Sequence, residues 1–203
     1  MTDEEKYEFV ILVEMTSNFG PPTNFLQFDN QHKILFKSSK KLPVVASFGD
    51  YKLHRDDSVE NATAYVTNNH KKKETAHAAQ FKTFGPTKQV PVTHIKQIFV
   101  EKSDSNLPKE YASKLTYDHF KSQEHPLVTS DTQYTPGYKS WKKLLHWALV
   151  DGHHVYYHDG ETLHKSSKET VDEHHKDSYG ASSKDKSEKT MLKKMIISKR
   201  PLK

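Results

Sequence analysis

Histidine offers this chain more chemistry than any other side chain: there are fourteen, while cysteine is absent. The tight groupings are His153-His154-His158-His164 and His174-His175. A zinc ion takes three or four nitrogen, oxygen or sulfur ligands in tetrahedral geometry. Neighbouring histidines in a strand point to opposite faces, so such runs deliver two ligands at best, and the pattern His-Glu-x-x-His does not occur. The expectation is therefore polar-surface histidine and no metal. Without cysteine there are no disulfides, thiolate zinc sites or cysteine nucleophiles, and a reducing cytoplasmic or nuclear setting fits. Phosphodiester cleavage would need carboxylates around a metal and arginines clamping phosphate. The chain has two arginines, Arg55 in a polar stretch and Arg200 near the C-terminus. No nuclease site assembles from these, no catalytic set replaces it, and the chain reads as non-enzymatic and cofactor-free.

The remaining polar chemistry is lysine. The net charge is +5 and the isoelectric point about 9.1, and this excess lacks the forked guanidinium that grips phosphates and guanine edges. Two lysine groups lie near aromatic or turn residues: Lys71-Lys72-Lys73 at a hairpin tip, and Lys142-Lys143 between Trp141 and Trp147. Exposed aromatics in a cationic groove bind single strands, so RNA is the alternative partner. The mean hydropathy of −0.88 fits a chain with long polar loops. No apolar run reaches the ~18 residues of a membrane span. Met1 to Lys6 is acidic and Tyr7 to Val13 short, which does not suit a signal peptide.

Short β-branched and aromatic runs must position these residues. Strands are expected at Tyr7–Val13, Asn24–Phe28, Val44–Phe48, Ala62–Thr67, Ala78–Phe84 and Lys88–Val92, with a hairpin loop at Asn68–Glu74 and a terminal turn at Thr93–Ile98. His32–Lys41 could be helix or strand. Pro108 opens a segment through Leu115 with a proline near a helix start, and Ser122–Tyr138 reads as loop. Trp141, Leu144, Leu145 and Ala148 share a helical face, with Ser140 placed to cap it. Val155–Tyr157 and Thr162–His164 flank an Asp159-Gly160 turn as a hairpin. Ser166–Lys189 is polar enough to be a mobile loop, and Thr190 would cap a helix over Met191–Ile197.

From Val44 to Ile98 the order of segments resembles a Tudor core. The matching stretches are Val44-Val45-Ala46-Ser47-Phe48, Asn61-Ala62-Thr63-Ala64-Tyr65-Val66, Gln80 through Pro91 and Ile95-Lys96-Gln97-Ile98. The flanks are similar to the staphylococcal-nuclease-like (OB-type) barrel that surrounds a Tudor core in extended Tudor modules. That resemblance implies a mainly β fold with α (α+β): an SH3-like Tudor barrel plus a second barrel, joined by a helix. It divides a single module of residues 1–203 into first strands and connector (1–42), Tudor core (43–99) and the rest of the second barrel (100–203), with the mobile loop at 166–189.

The resemblance implies an aromatic cage at Phe48, Ala62, Phe81, Phe84 and Pro86. In methylarginine readers such a cage holds a cation against π faces, at ~0.5–2 kcal/mol per contact. Here Ala62 replaces one wall, Thr83 the usual Asp and Pro86 the orienting Asn. Proline has neither a side-chain amide nor an N–H. Methylarginine is thus a poor ligand, and an unmodified linear peptide of a partner protein is the expected one. The family also implies a scaffold role in small-RNA (piRNA-type) pathways and cytoplasmic ribonucleoprotein or germ granules.

Overall fold

The computed structural model describes residues 35–102, 104–129, 135–180 and 193–202. The expected strands Tyr7–Val13 and Asn24–Phe28 lie outside the described residues. Among the described residues nine strands and four helices make an α+β fold, with the strands in one mixed sheet of order β1-β2-β3-β4-β5-β6-β9-β7-β8. The chain divides into two units: Met1–Lys82 with Gln97–Leu107, and Thr83–Lys96 with Pro108–Lys203.

In the first unit, residues 35–39 are helical (α1). Strands β1 (Val44–Phe48), β2 (Tyr51–Asp56), β3 (Ala62–Asn69) and β4 (Glu74–Phe84) follow, antiparallel in sequence order. Ala64, Val66 and Asn68 alternate along one face of β3. Ala64 and Val66 bury against Leu35 and Leu42, and the Asn68 amide donates to Ser39 Oγ at 2.8 Å. Apolar packing and one satisfied amide thus seat α1 on the sheet. The polar stretch Lys52–Glu60 holds all of β2 but its first residue, Tyr51. Its inward positions are His54 and Asp56, so hydrophobic alternation gave no signal.

Strand β5 (His94–Lys102), of which His94–Lys96 belong to the second unit and Gln97–Lys102 to the first, begins where a turn was expected, and Lys88–Val92 is not a strand. Helix α2 (Tyr111–Ser122) leads to β6 (Leu127–Val128), α3 (Thr135–Val150), β7 (His154–His158), β8 (Leu163–Ser166), α4 (Val171–Gly180) and β9 (Lys194–Ser198). Strand β9 lies between β6 and β7 and is antiparallel to both. Registers align Val128, Ile196 and Tyr156 on one face, and Leu127, Ile197 and Val155 on the other. All six are at most 6% exposed. A strand buried on both faces shows no period-two pattern, which is why Met191–Ile197 reads as a helix in sequence and Lys194–Ser198 is a central strand here.

Two further expectations are corrected. The loop predicted over Ser166–Lys189 holds β8's last residue and the helix α4, whose inner positions Val171, His175 and Ser178 are mostly polar; residues 181–189 lie outside the described set. The Ser122–Tyr138 loop contains β6 and the start of α3. Among the described residues β1 and β8 end a linear strand order, and the pairing that would close either expected barrel is not among those observed.

Candidate functional site

The five residues of the expected cage are distributed as follows. Phe48 ends β1, half-buried, with its ring stacked on Tyr51 at 5.4 Å between centroids. Phe81 is 1% exposed and meets Tyr65 edge-on at 6.0 Å; it is core. Ala62 pairs with Lys82 at the start of β3, while Tyr51 pairs with Asn69 at its end. Seven residue steps at ~3.3 Å each separate those two levels by roughly 23 Å. Phe48 therefore stands at the opposite end of this part of the sheet from Ala62 and from Phe81, which pairs with Thr63. In the second unit, Phe84 stacks on His94 at 6.0 Å and Lys96 Nζ lies 5.4 Å from its ring centre. Pro86 is exposed.

The histidine groups are engaged in local structure. His164 Nε2 lies 2.8 Å from Asp159 Oδ2. His158 Nδ1 accepts the Gly160 N–H at 3.0 Å. His174 Nδ1 lies 2.8 Å from Ser166 Oγ, with its ring on Tyr157 at 4.8 Å. Among the described residues no group of three or more metal-ligating side chains converges. The tryptophan–lysine alternative is also spoken for: Trp141 is 5% exposed, Lys142 pairs with Asp172 at 2.7 Å and Lys143 with Glu110 at 2.7 Å. Arg55 pairs with Asp57 at 2.7 Å.

Asp104, which composition did not single out, is heavily coordinated in the first unit. Its carboxylate accepts from Tyr51 OH (2.9 Å), Asn69 Nδ2 (2.9 Å), Lys72 Nζ (3.3 Å) and the Asn106 N–H and Nδ2 (2.9 and 3.0 Å). Burial pushes this carboxyl up, yet the Asn106, Asn69, Tyr51 and Lys72 donors outweigh it and hold the group well below the usual range. Every lone pair is used, so Asp104 ties β2, β3 and the chain after β5 together.

A different arrangement lies at the connection between β5 and β6. Strands β5 and β6 run parallel and pair at Ile95–Leu127 and Lys96–Val128. A parallel pair needs a crossover, supplied here by α2. Four residues separate this helix, twelve residues and ~18 Å long at 1.5 Å each, from β6. In open parallel sheets ligands settle outside the carboxyl ends of the strands. Glu110, the N-cap residue, has φ of 71° and makes no side-chain capping bond. Its carboxylate is turned to Lys143 instead, and no acidic residue occupies the first turn. The helix thus begins without a side-chain cap from Glu110, and its Tyr111 N–H donates to the Pro108 carbonyl at 3.1 Å. Pro108 was the sequence signal for this helix start; the parallel pairing had none. No family model, curated protein or solved structure matches the chain.

Proposed function

We propose that the second unit binds a small phosphate-bearing molecule of the cofactor type at the β5–α2–β6 crossover. The observation that supports this reading is the α2 N-terminus without a side-chain cap, on a helix that connects a parallel strand pair. Backbone N–H groups at a helix start bind phosphate oxygens without needing arginine, which suits a chain with two. Lys109, exposed beside Glu110, adds a mobile cation. Inorganic pyrophosphate is the minimal probe, followed by adenine nucleotides, nicotinamide dinucleotides and coenzyme A in thermal-shift titrations. A bound ligand raises the melting temperature in proportion to RT ln(1 + [L]/Kd). Ala112→Asp places a carboxylate in the first turn, where it favours the helix by about 0.3–1 kcal/mol and repels the ligand. The variant should melt no lower than wild type and lose the shift. A wild type insensitive to every probe at millimolar concentration, or a variant that shifts equally, removes the proposal.

One observation favours a second reading, the peptide-binding adaptor with an extended Tudor architecture. Among the described residues strand β1 ends the strand order, and its Val44 and Val45 are 48% and 49% exposed. An exposed strand edge can take up an extended peptide. The register slips between Val44 and Ala46, and a bulge in an edge strand hinders such pairing, so the crossover ranks first.

A further inference from the structure

Two histidines flank the turn of the β7–β8 hairpin, and their hydrogen bonds give them opposite roles. His158 ends β7, pairs with Leu163 of β8 and is 5% exposed. Its Nδ1 lies 3.0 Å from the Gly160 nitrogen. A backbone N–H can only donate, so Nδ1 supplies a lone pair and this imidazole is neutral. On the β8 side of the turn, His164 Nε2 lies 2.8 Å from Asp159 Oδ2. A carboxylate can only accept, so Nε2 carries a proton, and the contact persists when the ring becomes an imidazolium.

The turn is built on the same side chains. Asp159 Oδ1 accepts the Thr162 and Glu161 N–H groups, both at 2.8 Å, and Gly160 has a φ of 110°, which glycine adopts without strain. The Thr162 and Glu161 N–H groups and His164 hold the Asp159 carboxyl well below the usual range. Asp159 therefore keeps its charge while imidazoles titrate near pH ~6.5. Burial holds the His158 imidazole below its ordinary range; Asp159 draws it upward and His164 downward. Lys194 stands opposite it in the register of β9. The neighbouring Tyr157 takes the other face of β7, where it donates to Asp177 and lies against His174.

We propose that this turn is an acid-sensitive latch: a proton on His158 Nδ1 turns an acceptor into a donor facing the Gly160 N–H, and the turn end of β8 comes away from β7. The neutral ring's contribution is complete above pH ~6.5 and is lost as pH falls toward the lower folded value. Acid does not open the turn through the other pair, because the Asp159–His164 contact is kept in both protonation states of that ring. Among the described residues β8 ends the strand order, so its turn end can leave β7 without breaking another strand pair. The latch involves no ligand and does not rest on the phosphate reading.

The test is nuclear magnetic resonance on the full chain. Long-range proton–nitrogen correlation should show His158 protonated at Nε2 and bare at Nδ1 in neutral solution. Amide exchange, corrected for the intrinsic rate, should show Gly160 protection falling roughly three- to tenfold from about pH 7.5 to about pH 5.5; a released imidazole of pKa ~6.5 sets the upper figure. His158→Asn places an uncharged acceptor where Nδ1 sits. It should flatten the Gly160 profile and leave the Ile197 profile of β9 as in wild type. His164→Asn should keep the acid fall at Gly160. The latch is overturned if Nδ1 carries the proton in neutral solution, or if wild-type Gly160 protection does not change over that range. It is equally overturned if Gly160 and Ile197 are protected equally at every pH, if His158→Asn keeps the fall, or if His164→Asn abolishes it. Should His158→Asn not fold, the wild-type tautomer and the Gly160 and Ile197 profiles decide alone.

Discussion

Asp104 shows how one side chain can hold several segments of a unit. Five donor contacts from Tyr51, Asn69, Lys72 and Asn106 converge on a side chain with no exposed surface. Removing the acid strands those donors, and leaving buried partners of a charge unpaired typically costs about 3–5 kcal/mol. Asp104→Ala is therefore expected to lower first-unit stability by that order in urea titrations. Asp104→Asn, which keeps the shape but reverses one donor, should lose less. A loss under 1 kcal/mol for the alanine variant would show that the network contributes little. The phenylalanines teach the opposite lesson at the same scale. Phe48, Phe81 and Phe84 share one residue type, yet one is stacked at a hairpin tip, one is core and one lies under its own lysine.

Among the elements, strand β1 is where the peptide-binding reading stands or falls. Its Val44 and Val45 are both exposed, and the irregular register at Val45 already departs from a flat edge. Val45→Lys adds charge to an exposed position, where substitutions usually change stability by under about 0.5 kcal/mol. If β1 captures extended peptides, wild type should enrich apolar segments from a displayed peptide library and Val45→Lys should not. Equal enrichment by both, or none by wild type, removes the adaptor. Element identity elsewhere followed burial more than propensity. Helix α4 has Asp172 and Glu173 in its first turn, as the helix dipole favours. Its inward face of Val171, His175 and Ser178 nonetheless looks like loop composition.

For the whole molecule, pH acts from both sides. His175 is 1% exposed, its ring lies flat on Tyr138 at 4.4 Å, and neither ring nitrogen has a hydrogen-bond partner. Burial pulls it down from 6.5 to about 4. A depressed histidine stabilises the fold fully above pH ~6.5 and loses that contribution as pH falls toward 4, on the order of 3 kcal/mol. Asp104, also depressed, adds a further loss only below the ordinary carboxylate range near pH ~4. Tyr117 and Tyr157 are buried and donate to Asp151 and Asp177, which raises both; their contribution holds below pH ~10 and fades above it. Chemical denaturation should thus show stability falling from pH 6.5 downward, before carboxylates titrate. His175→Phe, which keeps the stack on Tyr138, should flatten that limb, and an unchanged limb would exclude His175 as its source. Alone, the sequence determined what local periodicity encodes: the β1, β3 and β4 strands, the α3 face of Trp141, Leu144, Leu145 and Ala148, and the β7–β8 hairpin. Each has alternation or a turn residue that needs no distant partner. Only the tertiary structure decided that Lys194–Ser198 is a central strand, that His54 and Asp56 face inward, and that β5 and β6 run parallel. Those outcomes depend on which segments meet across long chain separations, and a short run buried on both faces carries no mark of its neighbours.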